Sequence, residues 1–486
     1  MQKTPIYYLI LFFIFTSFCK SDTTVQVQEQ ASKSKKQNIL FIAVDDLRPL
    51  INSYGASLLK TPNIDKLAKE GIQFNSAYTN VPVCGGSRAS IMTGVRPGLT
   101  RFTNFKTNAQ NDLPDALPLH GAFKNEGYQT LAYGKIFHVK NDFAEYWTSL
   151  DKNYTQSDYQ DPVAIERFNN AERGEYGKKG VAFEAADVPD DAYSDGKITK
   201  KAIRKLKQLK KSDTPFFMAI GYVSPHLPFI QPKKYWDMYD HETLPLADNQ
   251  YPPKNAPDVL INSQHNSNEL RKNYLDIPAN GLLGEELSKN LVHGYLASVS
   301  YMDALIGELM ANLDALGLRE NTTVILWSDH GYFLGEHTFW CKHSTLHEGV
   351  QIPLIISAPG YTKNQTTESF AELVDVYPTL CELAGVTPPS YIHGQSLVPI
   401  LEDPETEVKK EIYTRYIKGE TVLDKNYSYT EFVNNDGDPY QNVLFDMIKD
   451  KKQNTDISDV PANAMLVEKY QQKLQAMRMQ VNKAPF

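Results

Sequence analysis

Five unbroken apolar runs, each closed by turn-forming or charged residues, punctuate a chain that is otherwise patterned for helices. Asn38–Val44 (NILFIAV), Phe216–Tyr222 (FFMAIGY) and 322–327 (TTVILW) are the strongest, with 130–133 and 353–357 beside them. A short run that is apolar on both faces predicts a strand covered on both sides, as in a parallel sheet under helices. Helical spacing fills the intervals. Thr61-Pro62 opens a helix that puts Ile64, Leu67 and Ala68 on one face and stops at Gly71. Residues 298–316 place Val299, Met302, Ile306, Leu309, Leu313 and Leu316 on a stripe closed by Gly317, and 375–384 reads as a third helix. Alternating strands and helices predict an α/β sandwich around a largely parallel central sheet.

The pattern changes after Pro388-Pro389. Segments 411–416, 427–432 and 443–447 read as short antiparallel strands, and a helix carrying Leu466, Tyr470, Leu474 and Met477 ends the chain. This divides a catalytic body, 38–387, from a smaller C-terminal subdomain, 388–486. The stretch 231–286 is long, polar and rich in Pro and Asn, with Trp236, Tyr239 and Tyr251, and reads as a functional loop region. It and the C-terminal subdomain are expected to set specificity. No individual residue of the latter, His393, Arg415 and Tyr440 included, is assigned to substrate.

The N-terminus reads as an address. Lys3 precedes an apolar run from Ile6 to Phe15 and then Thr16-Ser17-Phe18-Cys19, so 1–19 is expected to be a secretory signal, with Cys19 open to lipidation or simple cleavage. Polar residues 20–37 then form a tether, and the expectation is an exported protein of the periplasm or cell surface, with a lipid anchor as an option. Besides Cys19 the chain has Cys84, Cys341 and Cys381, too few for a disulfide framework. A net charge of −8 gives no global field for nucleic acid. The lysines between Lys200 and Lys211 read as a solvated helix face.

Chemistry gathers where strands end. The first strand runs into Asp45-Asp46, the 216–222 strand into Ser224-Pro225-His226, the 322–327 strand into Asp329-His330, and the 130–133 strand into Lys135 and His138. Open α/β sheets bind ligands outside the carboxyl ends of their strands. Asp45, Asp46 and Asp329 are hard oxygen donors suited to calcium or magnesium, with His330 beside them. Lys135 and Lys342 are point charges for an oxyanion. His138 and His226 are candidates for proton transfer. His330, His337, Cys341, His343 and His347 crowd one stretch, but their spacing matches no standard zinc finger.

The most distinctive stretch is Cys84-Gly85-Gly86-Ser87-Arg88, followed by a short apolar helical run to Gly94. It resembles the signature of type I sulfatases, in which the cysteine is oxidised to a formylglycine (3-oxoalanine) whose hydrate attacks sulfur. The resemblance extends over Asn38–Pro49, the segment leading to Cys84, Gly134-Lys135-Ile136-Phe137-His138, Ser224-Pro225-His226-Leu227-Pro228-Phe229, Ser328-Asp329-His330-Gly331 and Lys342, and is nearest to iduronate-2-sulfatase-like enzymes. It implies an alkaline-phosphatase-like sandwich and a calcium ion (Ca2+) held by Asp45, Asp46, Asp329, His330 and the modified Cys84. It further implies that Arg88 steadies the hydrate, His138 assists it, Lys135 and Lys342 bind sulfate, and His226, with Lys342, protonates the leaving oxygen. The substrate implied is a sulfated polysaccharide or oligosaccharide, ulvan-type or glycosaminoglycan-like. The partner implied is a formylglycine-generating or anaerobic sulfatase-maturating enzyme. Two alternatives stand beside this. One is a metal-dependent phosphatase or phosphodiesterase of the same architecture, which would use Ser or Thr and two zinc ions. The other is a non-catalytic sulfated-glycan-binding protein, if Cys84 stays a thiol.

Overall fold

A strand covered on both faces needs an apolar residue at every position, and β1 (Asn38–Val44) meets that demand. Leu40, Ile42 and Val44 pack into one core with Ile203, Leu206, Leu296, Val299 and Met302. Ile39, Phe41 and Ala43 pack into a second core with Ile91, Met92 and Leu380. These cores lie on opposite faces of one sheet, because successive side chains of a strand point to opposite sides. In the computed structural model, which describes residue 1 and residues 36–175, 177–262 and 268–482, that sheet has eight strands. The remaining seven are β2 (Ile72–Phe74), β3 (Gln129–Gly134), β4 (Ser149–Asp151), β5 (Phe216–Tyr222), β6 (Thr322–Ser328), β7 (Leu354–Ser357) and β8 (Gln365–Thr367). Their order is β8-β2-β7-β6-β1-β5-β3-β4. Only β7 runs against the others: it is antiparallel to both β2 and β6, and every other pairing is parallel.

One layer over the sheet holds α1 (Pro62–Lys69), α3 (Ser194–Leu209) and α5 (Glu285–Ala315), and the other holds α2 (Cys84–Thr93) and α6 (Val376–Ala384); α4 is the short helix Asn268–Asn273. The lysines of α3 lie on its outer face, while Ile198, Ala202, Ile203, Leu206 and Leu209 are buried. Helix α5 starts well before the expected 298, since its first half is buried on all sides from Leu291 to Met302 and shows no amphipathic stripe. The segment 231–286 is not one continuous loop: Lys233–Trp236, Asp258–Asn262 and α4 are helical.

The C-terminal region is a four-stranded antiparallel meander of β9 (Glu411–Tyr416), β10 (Gly419–Asp424), β11 (Tyr427–Val433) and β12 (Pro439–Asp446). Three of these strands were expected; β10 (GETVLD) was not, because its polar and glycine residues hide the apolar alternation. Helix α7 (Ala464–Asn482) lays Tyr470, Leu474 and Met477 on Tyr413, Val422, Tyr429 and Leu444. The other face of the meander, with Ile412, Leu423, Phe432 and Phe445, meets Tyr78, Phe333, Phe339 and Phe370. Cys19, the expected leader beyond residue 1 and the tether as far as residue 35 lie outside the described residues. Among the described residues no helix is long and apolar enough to cross a membrane.

Candidate active site

The parallel register fixes which side chains meet. Val44 of β1 is paired with Tyr222 of β5 and with Ser328 of β6, and Gly134 of β3 is paired with Gly221 of β5. The next residues of all four strands, Asp45-Asp46, Val223 to His226, Asp329-His330 and Lys135, therefore leave the sheet at one edge. Asp46 has a left-handed backbone, φ 61°, which turns the chain sharply at the strand end.

Helix α2 aims its first residue, Cys84, into this edge. The two glycines after it are required by close packing: a Cβ on Gly85 would run into the carbonyl of Phe105, and one on Gly86 would lie 2.5 Å from the carbonyl oxygen of Phe102 and 2.9 Å from Val81 Cγ1. Ser87 Oγ donates to the Asp329 carbonyl at 2.5 Å. Arg88, fully buried one turn into the helix, binds Asp329 through Nε at 2.8 Å, Asp45 through Nη2 at 3.3 Å, and the carbonyls of Lys135 and Ile136 through Nη1. One rigid guanidinium thus joins three strand ends.

Around Cys84 the groups interlock. Its Sγ is 3.3 Å from His330 Nε2. His330 Nδ1 lies 3.0 Å from the Gly331 carbonyl, so Nδ1 carries a hydrogen there and Nε2 is the ring nitrogen that faces Cys84, Asp46 and Asp329. Lys135 is ion-paired with Asp45. Lys342 lies 3.0 and 3.1 Å from the two oxygens of Asp46. Burial and the Asp45 charge push the Cys84 thiol up, but Lys135, Lys342 and His330 outweigh them and hold it well below the ordinary thiol value. Burial raises Asp329 to about 7 against the pull of Arg88.

A cavity of about 420 Å3 opens above this cluster, lined by Cys84, Phe105, His138, Gln156, His226, Glu269, Lys342 and His343 among others. The His138 ring stands edge-on to Phe105 at 5.9 Å, and its Nδ1 is buried with no hydrogen-bond partner among the described residues. His226 Nδ1 is 2.6 Å from the Leu227 carbonyl, and the Gln156 amide is 3.4 Å away.

All ten residues named from the sequence, Asp45, Asp46, Cys84, Arg88, Lys135, His138, His226, Asp329, His330 and Lys342, fall within this cluster or line its cavity. Glu269, which sequence reasoning missed, lies 3.0 Å from His226 Nε2 and 2.9 Å from Lys342 Nζ. Of the other residues of the His-rich stretch, His337 and His347 go elsewhere. His337 Nε2 contacts the Lys452 carbonyl at 2.8 Å, and His347 stands edge-on to Tyr78. His343 is a cavity wall stacked on Tyr416, and burial lowers its pKa to about 3.

The donor set fits a metal ion. One ligand atom each from Asp45, Cys84, Asp329 and His330 lie within 4.8 Å of one another, all buried. Two of these four donors are carboxylate oxygens, the ligand type a hard divalent cation takes, and the hydrogen bond from Nδ1 orients His330 for ligation.

Comparison with known proteins agrees with this geometry. The sulfatase family model matches residues 37–386, and that of the N-sulphoglucosamine sulphohydrolase C-terminal region matches 335–480. Iduronate 2-sulfatase of Mus musculus is 33% identical over 388 residues, 72% of this chain and 69% of that one. An ulvan-active sulfatase of Formosa agariphila is 28% identical over 480 residues, 91% of this chain and 83% of that one. A protein solved in complex with its substrate D-glucosamine-2-N,6-O-disulfate superposes with a TM-score of 0.72 at 23% identity, covering 93% of this chain and 99% of that one. The matched family spans both the strand-end cluster and the Cys84 helix, and the chain belongs to the sulfatase family as a sulfatase enzyme.

Proposed function

We propose that this sulfatase removes sulfate from a sulfated polysaccharide or oligosaccharide of ulvan or glycosaminoglycan type, and that it does so outside the cytoplasm. The observation that carries the reading is the meeting of a cysteine, three carboxylates, an imidazole and two lysines at the carboxyl edge of the sheet, under one cavity. The iduronate and ulvan activities of the relatives support the substrate class. The apolar run before Cys19 supports export, with Cys19 open to lipidation or simple cleavage.

Asp45, Asp46, Asp329 and His330, with residue 84, would hold calcium, which supplies positive charge to a sulfate oxygen. Oxidation of Cys84 to 3-oxoalanine by a formylglycine-generating or anaerobic sulfatase-maturating enzyme supplies a hydrated aldehyde as nucleophile toward sulfur. Arg88 fixes Asp45 and Asp329 relative to the first turn of α2. Lys135 and Lys342 place ammonium charge at the cavity floor for the remaining sulfate oxygens. His138, which lines the same cavity as Cys84, accepts or orients a proton of the nucleophile, and His226 gives a proton to the departing sugar oxygen.

Mass analysis of the peptide carrying residue 84, from enzyme expressed in its native host, tests the nucleophile. The aldehyde form is expected about 18 Da below the thiol, outside the ordinary thiol oxidation ladder. An unmodified thiol in every molecule would instead favour a sulfated-glycan-binding protein.

A further inference from the structure

We infer that Glu269 is a positioning residue whose single carboxylate ties His226 and Lys342 into one unit at the leaving-group side of the cavity. The inference deepens the function proposed above and rests on it for the identity of the leaving group. Glu269 uses both oxygens, Oε1 at 3.0 Å from His226 Nε2 and Oε2 at 2.9 Å from Lys342 Nζ, and its side chain is 7% exposed.

The hydrogens on His226 follow from its neighbours. Nδ1 faces the Leu227 carbonyl at 2.6 Å and Nε2 faces a carboxylate. Carbonyl and carboxylate oxygens only accept, so both ring nitrogens carry hydrogen and the ring is an imidazolium. That is the form with a proton to give. Without Glu269, Nδ1 keeps its hydrogen on Leu227 while Nε2 loses its carboxylate partner, leaving the Asp46 carboxylate, within 4.8 Å of the ring, as counter-charge. Two cations placed side by side also repel each other, and the shared carboxylate offsets that repulsion. In the step served, the bond from sulfur to the sugar oxygen breaks with its electron pair on oxygen. Nε2–H then supplies the proton, leaving a neutral imidazole beside Glu269.

A purely architectural role explains this placement poorly. Buried ion pairs contribute little net stability, and α4, which carries Glu269, is only a short helix. It is held by backbone contacts, with Gly180 N donating to Asn273 O at 3.2 Å and Leu275 N donating to Gly180 O at 2.8 Å, and by the Lys272–Glu175 pair at the cavity rim. The fold brings α4 to this wall, and Glu269 reaches both cations.

The test measures kcat and KM of matured full-length Glu269→Gln and wild-type enzyme on 4-nitrophenyl sulfate and on a sulfated oligosaccharide. The aryl leaving group needs no proton and the sugar hydroxyl does. The expected result is a kcat loss of about 100-fold on the oligosaccharide and under about tenfold on the aryl sulfate, with KM little changed. Equal losses on both substrates, or no loss, would overturn the inference. Should the Glu269→Gln enzyme not fold, Glu269→Asp keeps the charge at shorter reach and is expected to show the same split at about tenfold; equal losses count against the inference there too. Crystal structures of wild-type and Glu269→Gln enzyme give a readout independent of turnover. The His226 ring or Lys342 Nζ is expected to move by about 1 Å or more while the rest of the cavity stays put, and unmoved groups overturn the inference. A wild-type enzyme that cleaves neither ester would end the proposed function, and the crystallographic displacement would then decide the role of Glu269 by itself.

Discussion

At the scale of single residues, Arg88 does the most to convert sequence into geometry. A guanidinium with no exposed surface is costly to bury unless it is fully paired, and here two carboxylates and two carbonyls surround it. Lysine at this position would carry the charge without the planar fork. Arg88→Lys is expected to lower stability by about 3 kcal/mol and turnover by at least about 100-fold, measured by denaturant unfolding and by sulfate release. Wild-type values in both would show that the fork is dispensable. The residues at the strand ends were legible in the sequence because a doubly covered parallel strand announces itself, and whatever polar residue follows it must stand at the ligand edge. Glu269 was not legible. It follows no strand and sits in a helix too short to show periodicity, so nothing local separates it from other glutamates of 231–286.

At the scale of elements, the apolar runs mark β1 and β5 with correct bounds, and β3, β6 and β7 to within a residue at either end. The three-residue strands β2, β4 and β8 escaped because so short a run carries no pattern. The reversed direction of β7 was equally hidden, since hydropathy does not encode strand polarity. Burial on every side concealed the first half of α5. Helix α7 was readable from its Leu466, Tyr470, Leu474 and Met477 stripe, and its packing can be tested. Leu474 is fully buried among Tyr413, Val422, Tyr429 and Leu444. Leu474→Ala is expected to cost about 2–5 kcal/mol in urea unfolding while leaving the aryl sulfatase kcat near wild type. A cost near zero would mean that α7 is only loosely seated on the meander.

At the scale of the whole molecule, a buried charge cluster joins the C-terminal meander to the large sheet domain. Glu372 binds Arg96 Nε at 3.0 Å, Lys409 Nζ at 2.6 Å, Asn80 Nδ2 at 2.7 Å and the Tyr413 backbone N–H at 3.1 Å. Burial opposes its charge, yet Arg96 and Lys409 hold its carboxyl well below the ordinary value. A carboxyl depressed in the folded state contributes stability above its unfolded pKa of about 4.3. It loses that stability as pH falls, because the unfolded chain then takes up a proton that the native state refuses. Glu372→Gln is therefore expected to be destabilised by about 3–5 kcal/mol near neutral pH, where Arg96 and Lys409 lose their counter-ion. It is also expected to lose less further stability than wild type between about pH 5 and about pH 3. Parallel curves in thermal unfolding would assign the acid sensitivity to other groups.

The strand-end carboxylates make a second prediction at this scale. Asp45, Asp46 and Asp329 are buried together, so a divalent cation that binds only the folded chain stabilises it by mass action. Chelation of the purified enzyme is expected to lower both Tm and activity, and calcium at about 100 times its Kd to return roughly 2.7 kcal/mol of stability. A Tm indifferent to chelator and calcium would reject the metal assignment while leaving the sulfatase family membership intact.

The central claim is that Cys84, at the head of α2 and beside the carboxylate cluster, is the origin of the group that attacks sulfur. The most direct measurement is inorganic sulfate released from sulfated oligosaccharides by wild-type and Cys84→Ala enzyme matured in the same host, with oligosaccharide binding followed in parallel. The account predicts release by wild type, none by Cys84→Ala, and binding retained by both. Equal release by the two enzymes would contradict it.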